Sequence, residues 1–264
     1  MSEKEPLSAK KYGSFKGYDV LASQSYEKDV AADLKEGYMI GADLAADNPH
    51  VLAKRFFAKP NIYPREDLLK SSEFKEPVER YYKALETLSY KMLDLVAATL
   101  PYGPDCMDVL KGEPVCPLRL LHYPPTPDQT DGKRQLGASA HTDFGAITLL
   151  LQDDCEGLEV LDPATEKWEL VPPQADAYVV NLGDMMHKLT RGAYKSSMHR
   201  VINQAPTDRY SVVFFFNGTS DNELRPFGPK QEGDPEKDLT TEQFLFSRIK
   251  ASYEKHAPKP ATAD

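Results

Sequence analysis

Residues 141–152 read HTDFGAITLLLQ and combine two signals that together indicate a metal site on a β-sheet. His141 and Asp143 are two positions apart, and because side chains alternate along a strand, both can project from the same face. The apolar run that follows is rich in residues typical of strands. A further histidine, His199, begins a second strand-like segment, HRVI. Two imidazoles and one carboxylate form the ligand set of non-haem Fe(II) sites that leave coordination positions open, so the sequence predicts such an iron site.

Short apolar segments separated by turn residues surround these predicted ligands. They are GLEVL at 157–161, AYVVNL at 177–182, HRVI at 199–202 and YSVVFFFN at 210–217. The turn-forming DPAT at 162–165, followed by a segment centred on Trp168, predicts a hairpin. Short strands with candidate ligands at their ends are typical of a jelly roll. We therefore predict a mainly β fold, a double-stranded β-helix with flanking helices.

Two helices are predicted outside the strands. Residues 73–100 repeat apolar side chains, Leu95 among them, every three or four positions and contain no proline or glycine after Pro77. Thr240 and Gln243 form a capping-box pattern ahead of a second helix over 244–253, and the chain from Pro258 is expected to fray. The predicted regions are an irregular segment over 1–34, a helical region packing on the sheet over 35–117, a jelly-roll core over 118–227, and a C-terminal helix and tail over 228–264.

Composition agrees with a single soluble enzyme domain in the cytoplasm. The chain has 264 residues, 41% of them apolar and 28% charged, which is ordinary for a globular protein. A net charge of −9 argues against a nucleic-acid partner, which would require a basic face. No apolar stretch is as long as a membrane span, which needs about 18 residues. The first five residues lack the apolar core of a signal peptide. The three cysteines lack zinc-type spacing, so reduced thiols are expected.

The segment from about 118 to 227 resembles the isopenicillin N synthase-like family of 2-oxoglutarate- and Fe(II)-dependent dioxygenases. The motifs that carry the resemblance are LRLLHYP at 118–124, HTD at 141–143, GLEV at 157–160, NLGD at 181–184, YKSSMHRV at 194–201 and RYS at 209–211. Weaker similarity extends back through KEGY at 35–38 and PNIYP at 60–64. So many motifs in the same order are jointly specific, and together they cover most of the chain.

The resemblance implies the site residues and the reaction. Fe(II) is expected on His141, Asp143 and His199, whereas His122 and His187 are not expected to be ligands. The distal carboxylate of 2-oxoglutarate is expected on Arg209 and Ser211, with help from Tyr123, because a guanidinium fork matches a carboxylate. The substrate pocket is expected to include Phe216, Tyr38 and Met39, with Asn181 either beside it or in a turn. With O2 as second co-substrate, such an enzyme oxidises a C–H bond of a small metabolite by hydroxylation, desaturation or cyclisation, and releases succinate and CO2.

Two departures from the family pattern affect these expectations. Only about thirty residues precede the segment that begins at Lys35, where relatives carry further strands and helices. We expect the sheet edge to be exposed, covered by residues 1–34, or paired with another copy in a homo-oligomer. Leu121 replaces an asparagine that is frequent in the family, which removes one polar contact expected near the metal.

Two alternatives to a 2-oxoglutarate-dependent enzyme stay open from the sequence. One is an Fe(II) oxidase of the isopenicillin N synthase type that takes all its electrons from the substrate and uses the arginine and serine to bind a substrate carboxylate. Succinate release separates it from the leading hypothesis. The other is a jelly roll that binds a ligand without turnover, although three intact metal ligands argue against it.

Overall fold

The structure is a computed structural model that describes residues 3–24, 30–55, 57–127 and 134–254, with side chains up to residue 249. Its strands are β1 (Gly17–Asp19), β2 (Glu36–Ile40), β3 (Leu118–Tyr123), β4 (Ala138–His141), β5 (Ile147–Gln152), β6 (Leu158–Asp162), β7 (Lys167–Leu170), β8 (Val179–Leu182), β9 (His199–Val201) and β10 (Arg209–Phe216). Its α-helices are α1 (Pro49–Leu52), α2 (Lys75–Ala98), α3 (Asp184–Leu189) and α4 (Thr241–Glu254). The predicted tail from Pro258 lies outside the described residues.

The strands form two sheets, as the jelly-roll prediction requires. The larger sheet has the order β1-β2-β3-β10-β5-β8, and the smaller sheet has the order β4-β9-β6-β7. Every pair of neighbouring strands within these sheets is antiparallel. The predicted hairpin is β6 and β7, in which Leu161 pairs with Trp168. The mainly β jelly-roll prediction is confirmed.

Strand β10 separates the two apolar regions of the molecule. Its even-numbered residues Phe214 and Phe216 are fully buried in a cluster that includes Tyr82 and Leu85 of α2. Its odd-numbered residues face the smaller sheet, where Val213 packs with Leu121 and Tyr123 of β3 and Leu158 of β6. Both faces of β10 are covered over residues 212–216, and this explains why its sequence is a continuous apolar run there.

Helix α2 covers the outer face of the larger sheet. It spans most of the predicted range 73–100, and its buried positions include Leu85, Leu93 and Val96. The ring of Tyr90 packs edge-on against Phe216 with centroids 5.6 Å apart. Leu95, predicted on the apolar stripe, is instead 62% exposed, because the face that meets the sheet runs through Leu93 and Val96. No helix among the described residues is long and apolar enough to cross a membrane.

The N-terminal segment is more ordered than the sequence predicts. The prediction that residues 1–34 are irregular fails at three places among the described residues, namely the 3-10 turns at Glu5–Leu7 and Ala9–Tyr12 and strand β1. Strand β1 pairs with β2, so residues 17–19 cover the edge that β2 would otherwise expose. The reason is that a strand edge carries backbone donors and acceptors that need partners.

Helix α4 is preceded by the capping box that its sequence predicts. The side chain of Gln243 accepts a hydrogen bond from the Thr240 backbone N–H at 3.0 Å, and the Gln243 N–H donates to the Thr240 hydroxyl at 3.3 Å. These reciprocal bonds form the predicted capping box. The helix itself starts at Thr241, three residues earlier than predicted.

His122 connects the first residue of β2 to the residue before β10 on the outer face of β3. Its Nδ1 lies 2.8 Å from Glu36 and its Nε2 lies 2.9 Å from Asp208. Partial burial opposes the charge on the ring, but the hydrogen bonds to Asp208 and Glu36 outweigh it and raise the pKa of His122. Only the imidazolium can donate to both carboxylates at once.

We predict a pH-dependent stability that originates at His122. A pKa raised by folding stabilises the protein fully below the unfolded value of about 6.5, and this stabilisation disappears as the pH rises through the raised value. The difference in free energy of unfolding between wild type and His122→Gln should therefore be largest at low pH within the range from about 5.5 to 8.5. Urea denaturation across that range measures it.

The matched control is His187→Gln, because the His187 ring contacts the Tyr194 carbonyl rather than a carboxylate. This variant should keep the wild-type pH dependence. A His122→Gln protein with an unchanged pH dependence would contradict the prediction.

Candidate active site

The three predicted metal ligands converge between the two sheets. His141 ends β4 and pairs directly with His199, which begins β9, and Asp143 follows β4 in the turn before β5. The ligand atoms of the three side chains lie within 4.8 Å of one another, and His199 Nε2 is 3.8 Å from a carboxylate oxygen of Asp143. This is the only group of its kind among the residues that the structure describes. Two imidazoles and a carboxylate at these distances suit Fe(II).

Hydrogen bonds orient all three side chains. His141 Nδ1 is 2.7 Å from the Ser139 carbonyl oxygen, and His199 Nδ1 is 3.1 Å from that of Ser197. A carbonyl only accepts, so each Nδ1 carries the proton and each lone pair lies on Nε2, as a metal ligand requires. The amide of Asn181 donates to the second oxygen of Asp143 at 2.6 Å.

Burial and a neighbouring imidazole keep the His141 ring ready to bind a cation. Burial, followed by the proximity of His199, lowers the pKa of His141 to about 3. The ring is therefore neutral near pH 7, because two imidazolium ions this close would repel each other in a poorly solvated site. Their ring centroids are only 4.4 Å apart. A neutral imidazole is the form that coordinates metal.

Glycines allow the loop that carries Asp143 to sit close to its neighbours. A Cβ on Gly183 would lie 2.3 Å from the Gly145 carbonyl oxygen and 2.8 Å from that of Asp143. A Cβ on Gly145 would lie 2.1 Å from the side chain of Asn217. This close approach lets the N–H of Asp184 donate to the Asp143 carbonyl at 2.8 Å. The NLGD motif therefore packs against the loop that carries Asp143 and restrains its position.

Arg209 lies in the same cavity as the three predicted metal ligands. It is fully buried and pairs across the sheet with Tyr123, whose ring lies 5.0 Å from the guanidinium carbon. Its Nε donates to the Cys155 carbonyl at 3.2 Å, and its Nη2 donates to Gln152 at 2.9 Å. Both acceptors are neutral. Among the described residues Nη1 has no hydrogen-bond partner.

Ser211 and Tyr123 flank this guanidinium. The Ser211 hydroxyl is buried and makes no hydrogen bond of good geometry within the described part of the chain. Burial raises the pKa of Tyr123, against the opposing influence of Arg209 and of the nearby Ser211 hydroxyl. A buried cation with an unfilled donor is costly unless an anion binds there, so these residues fit the distal carboxylate of 2-oxoglutarate.

The structure corrects two residues of the predicted substrate pocket. The prediction that Phe216 lines the pocket is wrong, because strand alternation turns its ring towards Tyr90 of α2. Tyr38 also faces away from the cavity, since its hydroxyl donates to the Ile62 carbonyl and its ring packs against Phe74. Met39 and Asn181 do line the cavity.

Other cavity residues were missed by the sequence analysis. They include Phe215, Asn217 and Thr148 near the metal loop, Phe15, Gln24, Lys35 and Phe57 from the N-terminal part, Arg119 on β3, and Leu245 and Ile249 on α4. The period-two pattern that places Arg209 and Ser211 inward also reaches Phe215, so that residue could have been found. The N-terminal and α4 residues carry no such signal. Leu121 lines the cavity as part of an apolar cluster.

Arg119 bonds to the N-terminal segment, including the cavity residue Gln24. Its guanidinium reaches Asp19 at 2.8 Å and Gln24 at 3.0 Å, so it connects the N-terminal segment to β3 across Gly37. A Cβ on Gly37 would lie 3.2 Å from the Arg119 side chain, so the absence of one leaves room for that crossing. The N-terminal segment therefore contributes to the site as well as to the sheet edge.

Comparisons with known proteins agree with this geometry. Residues 114–218 match the model of the 2OG-Fe(II) oxygenase superfamily. The chain is 57% identical over 242 residues to the 2-oxoglutarate-dependent dioxygenase citB of Monascus ruber, and the match covers 90% of this chain and 74% of the relative. It is 46% identical over 265 residues to the clavatol oxidase claD of Penicillium crustosum, covering 96% and 78%.

A solved structure shows the same fold with the co-substrate present. A full-length Neurospora crassa protein in complex with alpha-KG matches with a TM-score of 0.77 and 25% identity, over 96% of this chain and 78% of that chain. The relatives are named as enzymes, which disfavours a jelly roll without turnover. The chain belongs to the 2-oxoglutarate- and Fe(II)-dependent oxygenase superfamily and is an oxidoreductase that uses Fe(II), 2-oxoglutarate and O2 on a small metabolite.

Proposed function

We propose that His141, Asp143 and His199 bind Fe(II), that Arg209, Ser211 and Tyr123 bind the distal carboxylate of 2-oxoglutarate, and that the enzyme hydroxylates a small aromatic metabolite. The observation that carries this assignment is the fully buried Arg209, which has an unfilled donor in the same cavity as the triad. The bound iron supplies the oxidising chemistry, in which one atom of O2 enters the substrate and the other enters succinate as CO2 leaves.

The protein's own residues bind the co-substrate, orient the metal ligands and exclude water from the cavity. Arg209 neutralises a carboxylate inside a poorly solvated cavity, where a charge-assisted pair is strong. Ser211 offers a hydroxyl donor beside it, and Tyr123, whose ring packs against the guanidinium, offers a phenol hydroxyl as a further donor. Asn181 fixes the carboxylate of Asp143 so that its other oxygen, 3.8 Å from His199 Nε2, is directed towards the metal position. The orientation of each ligand is thus set before any metal binds.

The cavity supports a small and flat substrate. Its volume is about 320 Å³, which 2-oxoglutarate and the substrate would share. The rings of Phe15 and Phe57 stack with centroids 5.4 Å apart on one wall, and Phe144 and Phe215 lie on others. Arg119 and Lys35 add polar groups to the lining. The likeness to a clavatol oxidase supports the same class, and clavatol is the first compound to test.

Removing any metal ligand should abolish metal binding. We expect His141→Ala, Asp143→Ala and His199→Ala each to lose most of their bound Fe(II), because two protein ligands compete poorly with water. Elemental analysis of anaerobically reconstituted protein measures the loss. His187→Ala is the control and should retain iron. Wild-type iron content in all three ligand variants would exclude this triad.

Arg209→Lys should weaken 2-oxoglutarate binding. An ammonium cannot replace a bidentate guanidinium, and losing one charge-assisted hydrogen bond costs about 1.5 to 3 kcal/mol, or roughly ten- to a hundredfold in affinity. Anaerobic titration of the Fe(II) protein with 2-oxoglutarate, followed by its visible charge-transfer absorption, measures the affinity.

The control for this substitution is Arg200→Lys. Arg200 is also largely buried, but it bonds to Glu159 and stacks on Trp168 with its guanidinium carbon 3.9 Å from the ring centroid. This variant should bind 2-oxoglutarate normally. If Arg209→Lys instead impaired only the primary substrate, or if turnover released no succinate, the oxidase alternative would replace the proposal.

Phe215 and Phe216 are adjacent on β10 but face opposite sides of the sheet. Substitutions at these two positions therefore test substrate binding and folding separately. Phe215→Ala should raise the KM for clavatol, measured as clavatol-dependent succinate release, because this ring lines the cavity. Phe216→Ala should leave that KM close to wild type but lower the free energy of unfolding by about 3 to 5 kcal/mol, as expected for a core aromatic. The reverse result would refute the assignment of the two strand faces, and absence of any clavatol response would refute the proposed substrate class.

A further inference from the structure

A segment near the N-terminus runs beside the strand that carries His141. The N–H of Ala31 donates to the Arg134 carbonyl at 3.1 Å, and the N–H of Leu34 donates to the Leu136 carbonyl at 2.8 Å. Val30 and Arg134 form a parallel bridge. These contacts bring residues 30–35 alongside the chain that enters β4, so Asp33 and Lys35 reach the metal side of the molecule.

Strand β4 is irregular at the position that Asp33 contacts. Ala138 pairs with Val201 and His141 pairs with His199, so Ser139 and Ala140 together stand opposite Arg200. This arrangement, in which two residues face one, is a β-bulge. A bulge interrupts the hydrogen bonds between the strands and changes the direction of the side chains that follow. The next side chain towards the metal is that of His141.

Asp33 supplies an acceptor for the backbone at this bulge. Its side chain is fully buried, and Oδ1 accepts a hydrogen bond from the Ser139 N–H at 2.8 Å. Its other oxygen accepts from Lys35 Nζ at 2.6 Å. The carboxylate is thus held between a cation and a backbone donor, and both bonds are charge-assisted. Lys35, itself buried, balances the charge that Asp33 brings into the interior.

Ser139 transmits this constraint to the metal ligand. Its carbonyl oxygen accepts from His141 Nδ1 at 2.7 Å, and this bond sets both the tautomer and the orientation of the ring. A shift of Ser139 would rotate the imidazole away from Asp143 and His199. The contacts form one continuous series from Lys35 through Asp33 and Ser139 to His141.

We infer that Asp33 is a positioning residue of the metal centre, which fixes the bulge at Ser139 and thereby the direction in which His141 presents Nε2. The inference rests on the proposed Fe(II) site. Asp33 touches neither metal nor substrate, and Lys35 acts by pairing with the buried carboxylate and holding it in place.

Two double variants isolate the hydrogen bond from the ion pair. Asp33→Asn with Lys35→Met removes both charges but keeps an amide oxygen that accepts from the Ser139 N–H. Asp33→Leu with Lys35→Met removes the charges and the acceptor together. Neither leaves an unpaired buried charge, which would be the main threat to folding. Leucine and asparagine are similar in size, so the pair differs chiefly in the hydrogen bond to Ser139.

Titration with Co(II), followed by its visible ligand-field absorption, measures metal affinity without turnover. Co(II) binds nitrogen and oxygen ligands at least as strongly as Fe(II). We expect the asparagine variant to bind close to wild type, and the leucine variant to bind about 10- to 100-fold more weakly with an altered spectrum, which is the range found when outer contacts that orient a ligating histidine are lost.

Asp234→Asn is the control for general destabilisation. Asp234 likewise accepts from a backbone N–H, that of Gln231 at 2.8 Å, and pairs with a cation, Arg191 at 2.8 Å. It should lose thermal stability without losing Co(II) affinity. Equal affinities in the two double variants, or an equal loss in Asp234→Asn, would overturn the role of Asp33. A wild-type protein that binds no Co(II) would overturn the proposed metal site itself, and with it this inference.

Discussion

The antiparallel pairing of β4 with β9 places His141 opposite His199, and the geometry of the whole site depends on that register. Directly opposite residues are the closest side-chain neighbours that a sheet can provide, so two imidazoles meet without any special loop. The third ligand then needs to come from the chain just past β4. Asp143 occupies that position because the following turn is packed against Gly183, where no side chain fits.

The site combines groups that a structure optimised only for stability would avoid. Arg209 is buried with a donor that no described residue fills, and His141 and His199 are held close together in a poorly solvated interior. Each arrangement costs free energy in the absence of a ligand and becomes favourable when an anion or a cation binds. The apolar clusters on both sides of β10 supply the stability that offsets these costs. The inner face of β10 therefore contributes both to ligand binding and to folding, whereas its outer face contributes to folding.

The sequence by itself determined the class of fold and the identity of the three candidate metal ligands. A short segment of sequence is enough to recognise period-two patterns, turn residues and the spacing of His141 and Asp143. The same period also placed Arg209 and Ser211 on one face. The expectation that Phe216 lines the pocket came from the family resemblance, and strand alternation turns this residue to the other face.

Only the tertiary structure decided which distant segments complete the site. Asp33 lies in a segment without a repeating apolar pattern. The role inferred for it depends on a bulge in β4 that no sequence pattern indicates. Leu245 and Ile249 reach the cavity because α4 docks there, which its own sequence does not specify. Tyr38 and Met39 are adjacent in sequence, yet only Met39 faces the cavity, and that choice was fixed by the register of β2 against β3. The physical reason is common to all these cases: register and docking are set by long-range pairing, whose partners a single segment does not encode.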